Sequence, residues 1–292
     1  MNKSVVKLHS KVVSKPGIRQ VTVTKQQLRI LELIYKFRFV STAQLQFVLG
    51  KKQIQQIQQR LNLMLERQWI GRNFSKLDRL TGKYASYFLL PGGMKILKAQ
   101  AAKTGKELDK RLLHNIYKDK TASERHITHC MAVGDIYCDL RRIYGETMQY
   151  FTKSLLTSYD YCPVPRADAF LRLAETTLPK SKKHEFFLDY CEEAVPFFAY
   201  RNRIKYYEEY DDEDTWSDAA HTKLPTVLLV AESPRLQRRL LRFLKKYLEG
   251  VYSDDLKFLV TNKELLTGAK PDSTIWSEVD DELETIVLSA IP

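Results

Sequence analysis

The chain has 292 residues, of which 44% are hydrophobic and 28% charged, a composition that excludes a disordered or fibrous protein and predicts a buried core. At this length two domains of about 100 to 200 residues each are expected, not one small stapled module. The formal charge of +12 comes from 47 basic and 35 acidic residues, and the signs are segregated: residues 1–120 hold 25 Lys or Arg against 6 Asp or Glu, a surplus of +19, while the remainder holds 22 against 29, which gives −7.

Two parts with different electrostatic tasks follow from that division. A segment so basic attracts a polyanion and releases counterions on binding, so nucleic acid is the first partner to expect and an anionic membrane surface the second. No apolar run approaches the roughly 18 residues that a membrane span needs, and the lysines of the first residues are scattered instead of preceding an apolar block. The expectation is a cytoplasmic protein without a membrane role. Cys130, Cys138, Cys162 and Cys191 form no CxxC pair or other metal-type spacing and read as reduced thiols.

Residues 1–23 contain the alternating stretches SVVKL and RQVTVT, broken by Pro16-Gly17, and read as a basic arm. From Thr24 the period turns helical. Leu28, Leu31 and Ile34 follow at three-residue steps, and Thr24 with Gln27 has the spacing of a capping box. This helix should end near Phe39. Ser41 and Gln44 repeat the cap spacing and open a short helix that stops at Gly50, where a left-handed backbone costs little. A third helix is expected at once in KKQIQQIQQRLNLMLERQW, with Ile54, Ile57, Leu61 and Met64 as the stripe that packs on the first two.

Steps of about 100° place Lys52, Gln55, Gln56, Gln59 and Asn62 on the opposite side of that helix. Gln and Asn pair bidentately with adenine in the major groove, while Lys51, Lys52 and Arg60 suit phosphates or guanine. Two short aromatic strands around a Gly-containing turn come next, with Arg72, Lys76, Arg79 and Lys83 near the hairpin. Three helices and a basic hairpin predict a winged helix-turn-helix over residues 24–93. A merely solvated face would mix its signs, whereas residues 1–83 contain only Glu32, Glu66 and Asp78 as acids.

Residues 94–120 read as a charged, solvated helical connector broken at Gly105. In residues 121–292 the pattern gives a helix at 122–144, strands near 147–156, 166–174 and 184–192, a helix at 196–210, a strand at 225–231, a helix at 233–249 and a strand at 256–261. Seven of the eleven residues 208–218 are acidic, a loop or helix-end extension. The fold class is therefore α/β (α+β): a winged helix-turn-helix followed by a mixed sheet between helices. Helix, three strands, helix, strand is the order of the PD-(D/E)xK nuclease-like core, which directs attention to carboxylates at strand ends.

Asp168 in VPRADAF and Asp189 in FFLDYCEE are the candidates; two such carboxylates can hold Mg²⁺ and activate a water for attack on a phosphodiester. The lysine expected two positions after the second carboxylate is replaced by Cys191, leaving Lys205 on the following helix as the candidate substitute. His126, His129 and Cys130 lie together on the preceding helix, but Cys130 points about 100° from His129, and zinc is not expected. Neither GxGxxG nor a P-loop occurs. The helix SPRLQRRLLRFLKKYLEG sets Arg235, Arg238, Arg239, Arg242, Lys245 and Lys246 against Leu236, Leu240, Phe243 and Tyr247, which reads as a solvated face or a secondary DNA contact.

The segments YFLLPGGMKIL, HITHCMAVGDIYCDL, PRADAF, FFLDYCEEAVPFFAYRNRIKYYEEY and PTVLLVAESPRLQRRL together resemble the replication-relaxation proteins of Gram-positive plasmids and integrative conjugative elements, over about residues 24–262. The resemblance implies a winged helix, a PD-(D/E)xK-like domain and a role in DNA processing for a plasmid or conjugative element. It aligns His129 with a helix histidine, Asp168 with a Pro-Asp-Ala aspartate, and Lys205 and Tyr206 with a Lys-Tyr pair; Asp189 stands where glutamate is usual and Cys191 where an aspartate is. The expectation is a sequence-specific double-stranded DNA-binding protein in replication control or assembly of a transfer complex, with a relaxase or other replication or transfer proteins as further partners. No cofactor is expected unless the second domain cleaves DNA with Mg²⁺. A metal-dependent nickase and a transcriptional regulator are the alternatives. Oligomeric state is open, a dimer included.

Overall fold

Thr24 and Ser41 each accept from the backbone N–H three residues on, while Gln27 and Gln44 reach back to the cap, so both expected capping boxes form. They open α1 (Lys25–Phe37) and α2 (Thr42–Val48), with the two-residue strand β1 (Val40–Ser41) between them. Gly50 then turns with φ +60°, and α3 (Ile54–Glu66) begins after it. Lys51 and Lys52 thus precede the helix instead of opening it. Ile57, Leu61 and Met64 are buried as expected, but Ile54, the first residue of α3, is 42% exposed. Strands β2 (Ile70–Asn73) and β3 (Ser86–Leu89) complete a three-stranded antiparallel sheet in the order β1-β3-β2.

The computed structural model describes residues 22–74, 78, 80, 82–105, 108, 110–174, 183–250, 256–279, 285, 286 and 288. Residues 1–21 of the basic arm, and Lys76 and Arg79 of the hairpin, lie outside the described residues.

The stretch expected as a solvated connector packs onto the core instead. Helix α4 (Pro91–Thr104) buries Gly93, Met94, Leu97 and Ala101, and α5 (Lys110–Ile116) buries Leu113 and Ile116. The start of α4 presses so closely on the turn between α3 and β2 that a Cβ at Gly93 would lie 2.4 Å from the Trp69 carbonyl oxygen and one at Gly92 2.6 Å from that of Gln68. Small side chains at PGG are therefore a packing requirement.

The 21-residue α6 (Glu124–Tyr144), capped by Ser123, lies between the three-helix module and the large sheet. Its apolar side joins one core with residues of both: Phe37, Val40 and Leu45 from the module, Val133, Tyr137 and Leu140 from α6, and Tyr150, Leu171 and Leu188 from strands. Polar ties cross the same seam. Gln44 Nε2 donates to the Met131 carbonyl (2.8 Å) and to Asp135 Oδ1 (2.7 Å), and a Cβ on Gly134 would strike the Gln44 side chain. Arg38, at the end of α1 with φ 70°, donates to both carboxylate oxygens of the buried Asp119 and to the Asn115 carbonyl.

Seven strands form the large sheet among the described residues, in the order β10-β9-β8-β7-β6-β5-β4: β4 (Met148–Thr152), β5 (Ala169–Ala174), β6 (Lys183–Cys191), β7 (Thr226–Ala231), β8 (Phe258–Asn262), β9 (Trp276–Glu278) and β10 (Thr285–Ile286). Strands β6, β7 and β8 are parallel and the other pairs antiparallel. The expected strand at 147–156 ends at Thr152, and Lys153–Leu156 make the helical turn α7. Alternate residues of β5 and β6 face opposite sides: Leu171, Phe186 and Leu188 pack toward α6, while Phe170 and Phe187 pack toward α8 (Phe197–Asp212) and α10 (Pro234–Leu248). Between those helices the acidic stretch continues α8 and enters α9 (Thr215–Ala220), anchored by the buried Trp216. A last helix, α11 (Lys263–Gly268), follows β8.

Gln44 serves both its own helix cap and the seam. Gln44→Ala should therefore destabilise the protein by about 2–3 kcal/mol, the combined effect of removing a cap and a charge-assisted bond. In urea unfolding, the change should appear at one shared midpoint in tryptophan fluorescence and in helical circular dichroism, as a common core requires.

Candidate functional site

The two strand-end carboxylates meet at the start of β5 and the end of β6. The β5–β6 register sets Ala169 opposite Leu188, so the Asp168 N–H reaches Asp189 Oδ1 at 3.3 Å. Both side chains are buried, and a carboxylate removed from water needs fixed partners. Asp168 Oδ2 accepts the Tyr190 N–H at 3.0 Å, while Oδ1 lies 3.0 Å from His129 Nε2 and 3.7 Å from Lys153 Nζ. His129 comes from α6, and its Nδ1 is 3.5 Å from Glu192 Oε2.

Asp189 is met from α8. Arg203 Nε donates to Oδ2 at 2.8 Å and Nη2 to Oδ1 at 3.3 Å, and the Tyr207 hydroxyl donates to Oδ2 at 2.9 Å. Arg203 and Tyr207 are four residues apart, so one helix face delivers both; the guanidinium also lies 4.4 Å from the Tyr207 ring centroid. Lys205, the candidate from the sequence, is exposed and pairs with Glu209 at 3.4 Å. Cys191 packs into the core beside α8, where burial first and then the charges of Asp189 and Asp168 push its thiol far above the ordinary range.

Burial disfavours the charged form of both His129 and Asp168, but the hydrogen bond and charge between them outweigh it. His129 is raised above its ordinary 6.5, with Glu192 adding to the shift, and Asp168 is held below its ordinary 3.8, with Lys153 and the Tyr190 N–H adding to that one. Burial also opposes the Arg203 charge, yet Asp189 and Tyr207 beside it raise its value further.

This donor set does not fit a Mg²⁺ ion. Mg²⁺ takes carboxylate oxygens at about 2.0–2.1 Å in near-octahedral geometry, whereas both Asp189 oxygens are held by a guanidinium and one also by a phenol. Among the described residues no group of three or more His, Cys, Asp or Glu could hold a metal. His126 meets Phe39 edge-on at a 6.0 Å centroid distance, and its Nε2 is 3.6 Å from Cys130 Sγ. Burial pushes the Cys130 and Cys138 thiols up to about 12 and Cys162 to about 11, values that leave almost no thiolate at neutral pH.

A second surface lies at α3. Lys52, Gln55, Gln56, Gln59 and Asn62 are exposed, Lys51 and Arg60 half-buried. Arg60 donates to the Gln56 carbonyl (2.8 Å) and Gln58 to Asn62 Oδ1 (3.1 Å), which holds these side chains along the helix. Arg72 is exposed on β2; Lys83, also exposed, pairs with Glu124. The sequence pattern did not point to three exposed apolar side chains of this hairpin, Phe74, Leu80 and Tyr84, the last two 83% and 77% exposed. On the far side of the sheet, Arg235, Arg238, Arg239, Arg242, Lys245 and Lys246 are all exposed along α10, and Arg239 lies 4.0 Å from the Phe197 ring centroid.

Residues 31–225 match the family described as replication-relaxation, well over half of the chain. The chain belongs to that family. No curated protein and no solved structure matches it. The region shared with the replication-relaxation family takes in α3, His129, both carboxylates and α8, and ends just before β7. Membership supports a part in plasmid replication or transfer. Of the residues that the family resemblance singles out, His129, Asp168 and Asp189 converge, Lys205 stands apart, and the Tyr206 hydroxyl accepts the Val164 N–H at 2.7 Å. No helix among the described residues is long and apolar enough to cross a membrane.

The His129–Asp168 pair links stability to pH. A raised imidazole contributes fully below 6.5 and loses its contribution as pH rises through its folded value above 6.5; a lowered carboxyl contributes fully above 3.8 and loses it as pH falls through its folded value below 3.8. The stability difference between wild type and His129→Gln should thus be largest between 3.8 and 6.5 and shrink above that window, measured by urea unfolding across pH.

Proposed function

We propose that residues 24–93 form a winged helix-turn-helix that reads double-stranded DNA of a plasmid or conjugative element, in replication control or assembly of a transfer complex. The observation that carries this reading is α3. It has an exposed Gln and Asn face with the exposed Lys52 just before it, and among the described residues no carboxylate pairs with Lys51, Lys52, Arg60 or Arg72. The element order helix, strand, two helices and a two-stranded hairpin supports it, because that order sets the third helix free to enter a major groove while the hairpin lies along the backbone. Amides serve for base edges and ammonium groups for phosphates. A relaxase or replication protein is the further partner we propose, held elsewhere than on α3.

Replacing Lys52, Gln55 and Gln59 with alanine should remove the preference for the cognate site over random duplex in competition binding, because each good pairing with a base edge is worth about 1–3 kcal/mol. Equal preference in the triple variant would overturn the assignment.

For the sheet we propose a nuclease-like fold kept for binding rather than cleavage. Each carboxylate that would hold the metal is neutralised by protein cations, and Cys191 supplies no charge at the position where such a site needs a cation for the developing phosphorane. Removing one such electrostatic element costs about 10²- to 10³-fold in rate. Supercoiled plasmid incubated with the protein and Mg²⁺ or Mn²⁺ should remain supercoiled. Nicking that vanishes in Asp168→Ala and Asp189→Ala proteins would instead establish the nickase reading.

A further inference from the structure

Helix α10 gathers cations in the acidic part of the chain. Residues 121–292 hold 29 acids against 22 bases, yet α10 carries Arg235, Arg238, Arg239, Arg242, Lys245 and Lys246 and no acid. All six side chains are exposed. Steps of about 100° gather them into one stripe about 120° wide, and at about 1.5 Å per residue it runs for about 16 Å. The opposite side of the helix, with Leu236, Leu240, Leu241 and Leu244, is buried in the core that it shares with the sheet.

A solvated helix face ordinarily mixes its signs. Here Arg235 and Arg239, Arg238 and Arg242, and Arg242 and Lys246 are like charges four residues apart, a spacing at which they repel. Arg235 also stands in the first turn, where the helix dipole disfavours a cation. Among the described residues no carboxylate pairs with Arg235, Arg238, Arg239, Arg242 or Lys246. The Arg239 guanidinium lies 4.0 Å from the Phe197 ring centroid, and Arg242 Nε donates to the Arg238 carbonyl at 3.3 Å. These contacts hold the side chains but leave their charge uncompensated. An extended anion lying along the stripe would compensate it.

We propose that α10 is a second contact for double-stranded DNA, made to the phosphate backbone without regard to sequence. Each strand of a duplex carries one phosphate per about 3.4 Å of axis, so a stripe of this length passes about five of them. Guanidinium and ammonium groups suit phosphates. The amide of α10 that could read a base edge, Gln237, is instead buried and accepts from Asn262 Nδ2 at 2.6 Å. A single strand needs open aromatic faces on which its bases stack, whereas the Phe197 ring is met by Arg239, and the half-buried Phe243 and Tyr247 stack on each other with centroids 5.4 Å apart. Helix α10 and the module that carries α3 pack on opposite faces of the sheet. The contact is therefore distinct from the α3 face and independent of its reading.

Binding of the full chain to a short duplex of random sequence, followed over a range of salt, tests it. Changing Arg235, Arg238, Arg242 and Lys246 to Gln together should weaken binding roughly tenfold or more and flatten the slope of log K against log salt by about 0.9 per lost contact, roughly 3–4 units for four. The same loss should appear when these changes are added to the Lys52, Gln55 and Gln59→Ala protein, which separates this contact from α3. Removing equal charge from scattered exposed positions, with Lys118, Lys120, Lys257 and Lys270→Gln, should change the slope far less. The proposal is overturned if the two quadruple variants behave alike or if the α10 variant keeps the wild-type slope. It is equally overturned if a single strand of the same length, or polyglutamate, binds more tightly than the duplex and loses that binding in the α10 variant. Because the four side chains are exposed and repel one another, the α10 variant should unfold in urea at or above the wild-type midpoint. Should it unfold earlier, the double variant Arg238→Gln, Arg242→Gln decides.

Discussion

The seam between α6 and the N-terminal module is the constraint on which the other arrangements depend. Phe37, Tyr137 and Tyr150 come from α1, α6 and β4, with centroids 4.9 Å apart for Phe37–Tyr137 and 5.0 Å for Tyr137–Tyr150. Aromatic pairs at such separations add to the gain from burial, and here they fix three elements against each other at one point. Three other features are set from that point. It sets the direction in which α3 faces solvent, it places His129 over the end of β5, and it forms the wall on which Lys36 lies.

The strand ends show how two buried carboxylates are satisfied by side chains of the protein itself. Buried carboxylates on neighbouring strand ends need partners that favour their charged form. Here α6 and α8 approach from opposite faces of the sheet and each brings one partner, His129 to Asp168 and the Arg203 guanidinium to Asp189. Breaking either pair would leave an uncompensated buried charge, which is more damaging than never having had the pair. Such an arrangement favours a rigid, preformed edge on the sheet.

Much of this was legible in the sequence because it depends on neighbours in the chain. The capping boxes at Thr24 and Ser41, the buried faces of α3 and α10, and the strands at 169–174, 183–191, 226–231 and 258–262 are local patterns, and they stand where periodicity puts them. Asp168 and Asp189 were recognisable as strand-end carboxylates for the same reason. Arg203 was not. It sits in α8 beside Ile204, Tyr207 and a run of charges, and only the packing of α8 on the sheet decides that position 203 faces Asp189 while Lys205 faces water. Leu113 and Ile116 were hidden similarly: a charged segment with a few apolar residues gives no sign that a core is waiting for them. Short strands such as β9 and β10, two or three residues long, carry too little pattern to be read at all.

The shared core also has a consequence for synthesis. The module that bears α3 leaves the ribosome first, with the apolar sides of Phe37, Val40 and Leu45 uncovered until α6 and β4 are complete, some 60 residues after the module ends. At about 5–20 residues per second that interval is roughly 3–12 s. During it the nascent chain presents both a sticky surface and its most basic segment. A polyanion already at hand, such as the transcript being translated or nearby DNA, would meet that segment before the rest of the protein exists, so the order of synthesis itself exposes the chain to early capture or to chaperone attention.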